Sequence, residues 1–152
     1  MLKPGTQAPD FTLPDQDGNP VRLADLLAKG PVLLYFYPAD FTPGCTKEAC
    51  GLRDRFPVIT AKGLTIAGVS PQSPDSHRRF RAEHALPFML LSDEDKTAIR
   101  RYDCDGPLGI GVRRATYLID PSDTGGTIRD AVLADFRIGR HMDFVERTIS
   151  AG

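Results

Sequence analysis

Two cysteines five residues apart, Cys45 and Cys50, close the stretch YFYPADFTPGCTKEAC at residues 35–50. Three chemistries could use such a pair: metal ligation, a structural disulfide, or a nucleophilic sulfur with a second thiol that traps its product. Structural zinc takes four Cys or His ligands, with paired ligands two to four residues apart. Here Cys104 is remote in sequence and no histidine neighbours the pair, which argues against a metal. A permanent bridge meets a geometric objection. Two helical residues five apart lie ~140° around the axis and ~7.5 Å along it, which separates their Cα atoms by about 8.7 Å. That exceeds the ~7 Å reach of a disulfide, whereas a C-x2-C pair would span only ~5 Å. A bond between Cys45 and Cys50 therefore requires the helix between them to unwind, which fits a redox cycle better than a scaffold.

The third chemistry has residues in place to support it. Cys45 follows Pro43-Gly44, a helix start, where unpaired backbone N–H groups and the positive helix end stabilise negative charge on a sulfur. Thr42, three residues earlier, offers a hydroxyl to a thiolate or to a substrate oxygen, and Pro38 can shield one side from water. Cys50 lies about one and a half turns further on, where an apolar setting would keep it a neutral thiol. Cys104 sits between Asp103 and Asp105, carboxylates that disfavour a thiolate, and is read as a bystander. His77, His84 and His141 are read as surface or packing residues; a cysteine hydrolase would need one of them beside Cys45 in space.

The elements that must position these residues follow from the hydrophobic pattern. VLLYFY at residues 32–37 reads as a buried central strand, and Thr46 to Phe56 as a helix that Pro57 stops. Leu64 to Val69 is a second buried strand. Ser73-Pro74 starts a helix that continues through His77 to His84. Phe88 to Leu91 forms a short strand, after which Ser92 caps a helix from Asp93 to about Arg101. Thr116 to Ile119 and Thr127 to Ala134 form an antiparallel pair joined by the long turn DPSDTGG, and Asp143 to Ile149 ends the chain as a helix. At the N-terminus, Phe11-Thr12-Leu13 and Val21 to Leu23 read as a hairpin. Strands alternating with helices give one α/β domain, residues 1–152, with a central mixed sheet.

The run P-x-x-x-T-x-x-C, carried by Pro38, Thr42 and Cys45, resembles the active-site signature of the peroxiredoxins. The longer stretch FYPADFTPGCTKEAC resembles the subgroup called bacterioferritin comigratory protein or peroxiredoxin Q. The likeness continues through GVSPQSPDSHRRF at 68–80, LPFMLLSD at 86–93 and GVRRATYLID at 111–120, and so spans most of the chain. It implies a thioredoxin-like fold and reduction of hydrogen peroxide and organic hydroperoxides, with no cofactor and no metal. Cys45 would be the peroxidatic cysteine, and Cys50 the resolving one, forming an intramolecular disulfide that thioredoxin or a similar dithiol protein reduces. Arg114, rather than Arg113, matches the activating arginine, and Glu48 a supporting acid that holds it. Tyr37, Phe41 and Gly44 would line the substrate pocket. Residues 103–112, the turn 122–126 and Phe41 depart from the subgroup pattern, at places where a substrate or partner could approach.

Composition narrows the rest. The net charge of -1 gives no general attraction to nucleic acid or anionic lipid, and the cluster Arg78, Arg79 and Arg81 reads as a solvated helix face. No apolar run reaches the length of a signal peptide or a membrane span, so a cytoplasmic protein is expected, as a monomer or weak homodimer. Two rival functions share the residues: a protein thiol–disulfide oxidoreductase, which would want C-x2-C, and a redox-controlled chaperone that uses the unwinding to expose a surface.

Overall fold

The computed structural model describes residues 1–133 and 138–151. Its centre is a five-stranded mixed sheet in the order β5-β4-β3-β6-β7, built from β3 (Val32–Phe36), β4 (Thr65–Ser70), β5 (Met89–Ser92), β6 (Ala115–Ser122) and β7 (Gly125–Leu133). β3, β4 and β5 run parallel, while β6 and β7 are antiparallel to their neighbours. A short antiparallel pair, β1 (Thr12–Pro14) and β2 (Pro20–Arg22), precedes the sheet. This is the thioredoxin-like arrangement of sheet, flanking helices and N-terminal strand pair.

Every residue of β3 is buried, as expected for a strand covered on both faces. Its alternation divides the core. Val32, Leu34 and Phe36 face one cluster with α1 (Leu23–Leu27) and α4 (Thr97–Arg101). Leu33, Tyr35 and Tyr37 face the other with α2 (Pro43–Ala61), α3 (Pro74–Glu83) and α5 (Ile138–Ala151). Gly68 of β4 lies opposite Tyr35, and a Cβ there would sit 2.7 Å from Tyr35 Cζ, so glycine makes room for the ring.

Several boundaries differ from the sequence reading. Pro57 does not stop α2, which runs through it to Ala61. Leu52 and Ile59, seven apart on one face, are both buried and hold the helix to the sheet. Pro57 lies on the exposed face, where losing one helix hydrogen bond costs least. Ser92 is the last residue of β5 and caps no helix. The helix starts later: α4 begins only at Thr97, with Lys96 at its N-cap position, and Asp93 Oδ2 accepts from Ile99 N in its first turn at 2.7 Å. The turn between β6 and β7 shrinks to two residues, because both strands extend into DPSDTGG. Leu23 opens α1 instead of ending a strand, since its side chain and those of Leu26 and Leu27 are buried at helical spacing. Ala134, read as the end of a strand, lies outside the described residues.

Candidate active site

Cys45 is the third residue of α2, just beyond the carboxyl end of β3, where α/β sheets bind ligands. Its buried face follows helical spacing: Cys45, Glu48, Ala49 and Leu52 all turn inward. A glutamate on that stripe needs a cationic partner, and β6 supplies it. The register pairs Phe36 with Ala115, which brings Arg114 to the end of β3 where α2 starts. Alternation then decides which arginine faces the helix. Ala115, Tyr117 and Ile119 enter the cluster on the opposite face, whereas Thr116 and Leu118 face α2 and α5, and Arg114 shares their side.

The result is a buried group in direct contact. Arg114 Nη2 donates to Cys45 Sγ at 3.0 Å, and Nη1 donates to Glu48 Oε1 at 2.8 Å. Cys45 is 2% exposed, Glu48 1% and Arg114 5%. Burial alone would work against the guanidinium charge, but Glu48 and Cys45 more than offset it and the Arg114 pKa is raised. Burial pushes Glu48 up to about 7, against the pull of Arg114. His141 of α5 approaches the other carboxylate oxygen, Nδ1 to Oε2 at 3.5 Å, and lies 3.0 Å from Thr116 Oγ1. Gly44 packs against the arginine: a Cβ there would meet Nη2 at 3.3 Å.

Arg114 also faces outward. Together with Pro38 it borders a cleft of about 670 Å³ whose far wall is the loop 105–113, with Pro107, Ile110 and Val112 as its apolar lining. That volume suits a small-molecule site. Leu108 and Ile110, 98% and 75% exposed, stand on this loop.

Other expected residues sit differently. Thr42 is the N-cap of α2, yet its hydroxyl donates to Ala39 O at 3.0 Å, away from Cys45. Cys50 is half-buried and outside the core clusters, not enclosed in an apolar setting; the ~140° that separates it from Cys45 turns it off the sheet-facing stripe. Tyr37 is buried in the core beside Cys45 instead of lining the cleft. Phe41 is also outside the cleft lining. It is partly exposed, edge-on to Phe80 at 5.2 Å, with a backbone φ of 64°. A left-handed phenylalanine costs about 1–2 kcal/mol, so neighbouring contacts must hold it. Cys104 is fully buried, and burial, more than its acidic neighbours, pushes its thiol up to about 12.

The sequence reading gave one participant no part in the site. His141 shares the buried face of α5 with Phe144, Val145, Thr148 and Ile149. A histidine on an apolar stripe was the available signal. Tyr35 stacks on Tyr37 at 5.4 Å, and its hydroxyl has no hydrogen-bond partner among the described residues. Its pKa is raised by burial first, then by the nearby charges of Glu48 and Cys45. Among the described residues no three His, Cys, Asp or Glu side chains cluster as a metal site requires, and no helix is long and apolar enough to cross a membrane.

Residues 4–130 match the model of the AhpC/TSA family. The peroxiredoxin Bcp of Escherichia coli is 40% identical over 150 residues, covering 95% of this chain and 93% of that protein. The crystal structure of peroxidoxin BcpB from Mycobacterium tuberculosis superposes with a TM-score of 0.89 at 36% identity, over 99% of this chain and 98% of that one. The bacterioferritin comigratory protein of Xanthomonas campestris, described for its alkyl peroxide reduction activity, gives 0.83 at 29% identity, over 93% and 90%.

Proposed function

The chain belongs to the AhpC/TSA family, alongside the Bcp peroxiredoxins, and on that premise we propose that Cys45 attacks a hydroperoxide and Cys50 resolves the product. The 3.0 Å contact from Arg114 Nη2 to Cys45 Sγ carries this reading. A guanidinium held by Glu48 stabilises negative charge on the sulfur before attack and on the departing oxygen during it, without reorganising. Among the described residues Cys45 alone of the three cysteines has such a partner, while Cys104 is locked away as a buried thiol.

The thiolate of Cys45 attacks one peroxide oxygen. The O–O bond breaks, the departing oxygen takes a proton and leaves as alcohol or water, and the sulfur becomes sulfenic acid. The Cys50 thiol then displaces water from that sulfur and forms the disulfide, after the first turns of α2 unwind. A dithiol protein of the thioredoxin type restores both thiols by exchange. Pro38 walls the cleft on one side. For Thr42 to donate to substrate, its hydroxyl must swing away from Ala39 O. The cleft has room for organic hydroperoxides as well as hydrogen peroxide, and a cytoplasmic setting would supply the reductant.

Peroxide-dependent oxidation of thioredoxin, followed by mass spectrometry of the trapped bridge, tests this directly. Cys45→Ser should abolish peroxide consumption, and Cys50→Ser should allow one turnover and stall as sulfenic acid. Sustained thioredoxin-linked turnover by Cys45→Ser would remove the mechanism.

A further inference from the structure

The segment between β3 and α2 is gripped from outside the reacting group. Asp40, buried at 5% exposure, accepts from three side chains. Tyr37 OH donates to its Oδ1 at 2.6 Å, Ser76 Oγ to its Oδ2 at 2.8 Å, and His77 Nδ1 lies 2.7 Å from the same Oδ2. His77 belongs to α3 and is fully buried. Its other nitrogen, Nε2, faces Leu91 O at 3.1 Å and Ser70 Oγ at 3.3 Å. The ring is thus bracketed between a carboxylate at the start of the Cys45 region and the sheet strands β4 and β5.

The neighbouring residue is held by the same helix. Phe41, in its left-handed conformation, packs edge-on against Phe80 of α3. Two consecutive residues of the segment, Asp40 and Phe41, therefore depend on α3, while Pro38 on one side walls the cleft and Thr42 on the other begins the Cys45 helix. No step of the peroxide chemistry uses His77, yet its hydrogen bonds converge on the segment that shapes the reaction's entrance.

We propose that His77 is a positioning residue for peroxide reduction: through Asp40 it fixes the Pro38–Thr42 segment, and so the wall and helix start against which peroxide meets Cys45. The proposal rests on the reading that Cys45 is the peroxide-reacting sulfur. Alignment of an O–O bond depends on that wall, whereas alkylation of the same sulfur by a small reagent does not. Loss of the clasp should therefore slow one reaction and spare the other.

The test compares, in the full chain, the second-order rate of Cys45 with cumene hydroperoxide and its rate with iodoacetamide. His77→Leu should lower the peroxide rate about tenfold or more and change the alkylation rate less than about twofold. His77→Asn, which keeps a donor towards Asp40, should recover most of the loss. Ser76→Ala removes a single hydrogen bond to Asp40 and should give a smaller drop of the same kind; it serves if His77→Leu does not fold. An unchanged peroxide rate in these variants, or peroxide and alkylation rates falling in parallel, would overturn the proposal. Failure of the underlying reading looks different, because Cys45→Ser would then still consume peroxide.

Discussion

Cys45 and Cys50 lie on one continuous helix from Pro43 to Ala61, so bond formation between them must first melt the residues between. Lys47 offers a way to measure that cost. It is exposed, lies between the two cysteines, and is the fifth residue of the helix, so it reports on helix stability without touching the core. Glycine is about 1 kcal/mol less favourable than alanine in a helix interior, while lysine is close to alanine. Lys47→Gly should lower the unwinding cost by that amount in the state that forms the bridge. With ~1.4 kcal/mol per tenfold in rate, resolution should accelerate about fivefold, and Lys47→Ala should change it little. The protein has no tryptophan, so the step is best followed chemically. Rapid mixing with hydrogen peroxide, quenching into dimedone at increasing delays, and mass spectrometry of Cys45 give the lifetime of the sulfenic acid. The initial attack should be unaffected, because Arg114 and Glu48 remain in place. If resolution is unchanged or slower in Lys47→Gly while attack is normal, unwinding does not limit bridge formation and the geometric argument fails.

Arg114→Ala should slow attack on peroxide about a hundredfold or more, the scale of losing one preorganised donor, with much less effect on resolution; equal slowing of both would deny its role. Burial raises Glu48 from 4.5 to about 7, so the folded chain keeps a proton there that the unfolded chain has released. Stability from this group is complete below pH 4.5 and is lost as pH rises to about 7, by about 3 kcal/mol. Glu48→Gln should flatten that decline in urea titrations across the window, and parallel pH profiles for the two proteins would contradict it. Gly68→Ala should destabilise by about 1–3 kcal/mol, because the new methyl meets the Tyr35 ring at 2.7 Å, and an unchanged thermal midpoint would refute the close contact. Cys104, buried with its thiol pushed up to about 12, should resist iodoacetamide in the native protein and react on unfolding; native labelling at Cys45's rate would show the burial to be wrong.

Local pattern carried the sequence reading far. Continuous apolar runs marked β3 and β4, Pro and Gly marked the start of α2, and Ser73 marked that of α3, whose Oγ does accept from Ser76 N. It failed where tertiary packing overruled a local rule. Pro57 reads as a stop, but the burial of Leu52 and Ile59 carries the helix past it. Ser92 reads as a cap, but the sheet takes it as a strand residue. Tyr37 was expected in the pocket, yet strand alternation sends it into the core.

By itself the sequence determined the reactive pair and its constraint, because five residues of helical rise lie outside the reach of a disulfide whatever surrounds them. It also determined that Cys45 opens a helix. Only the tertiary structure decided what meets that sulfur. The register of β6 against β3 brings Arg114, 69 residues away, to 3.0 Å from it, and strand alternation gives that place to Arg114 and not to Arg113. The same long-range packing set His141 beside Glu48, and His77 beneath Asp40. Helical spacing is a property of neighbouring residues and can be read along the chain; contacts between distant residues depend on strand order and register, which exist only once the sheet has formed.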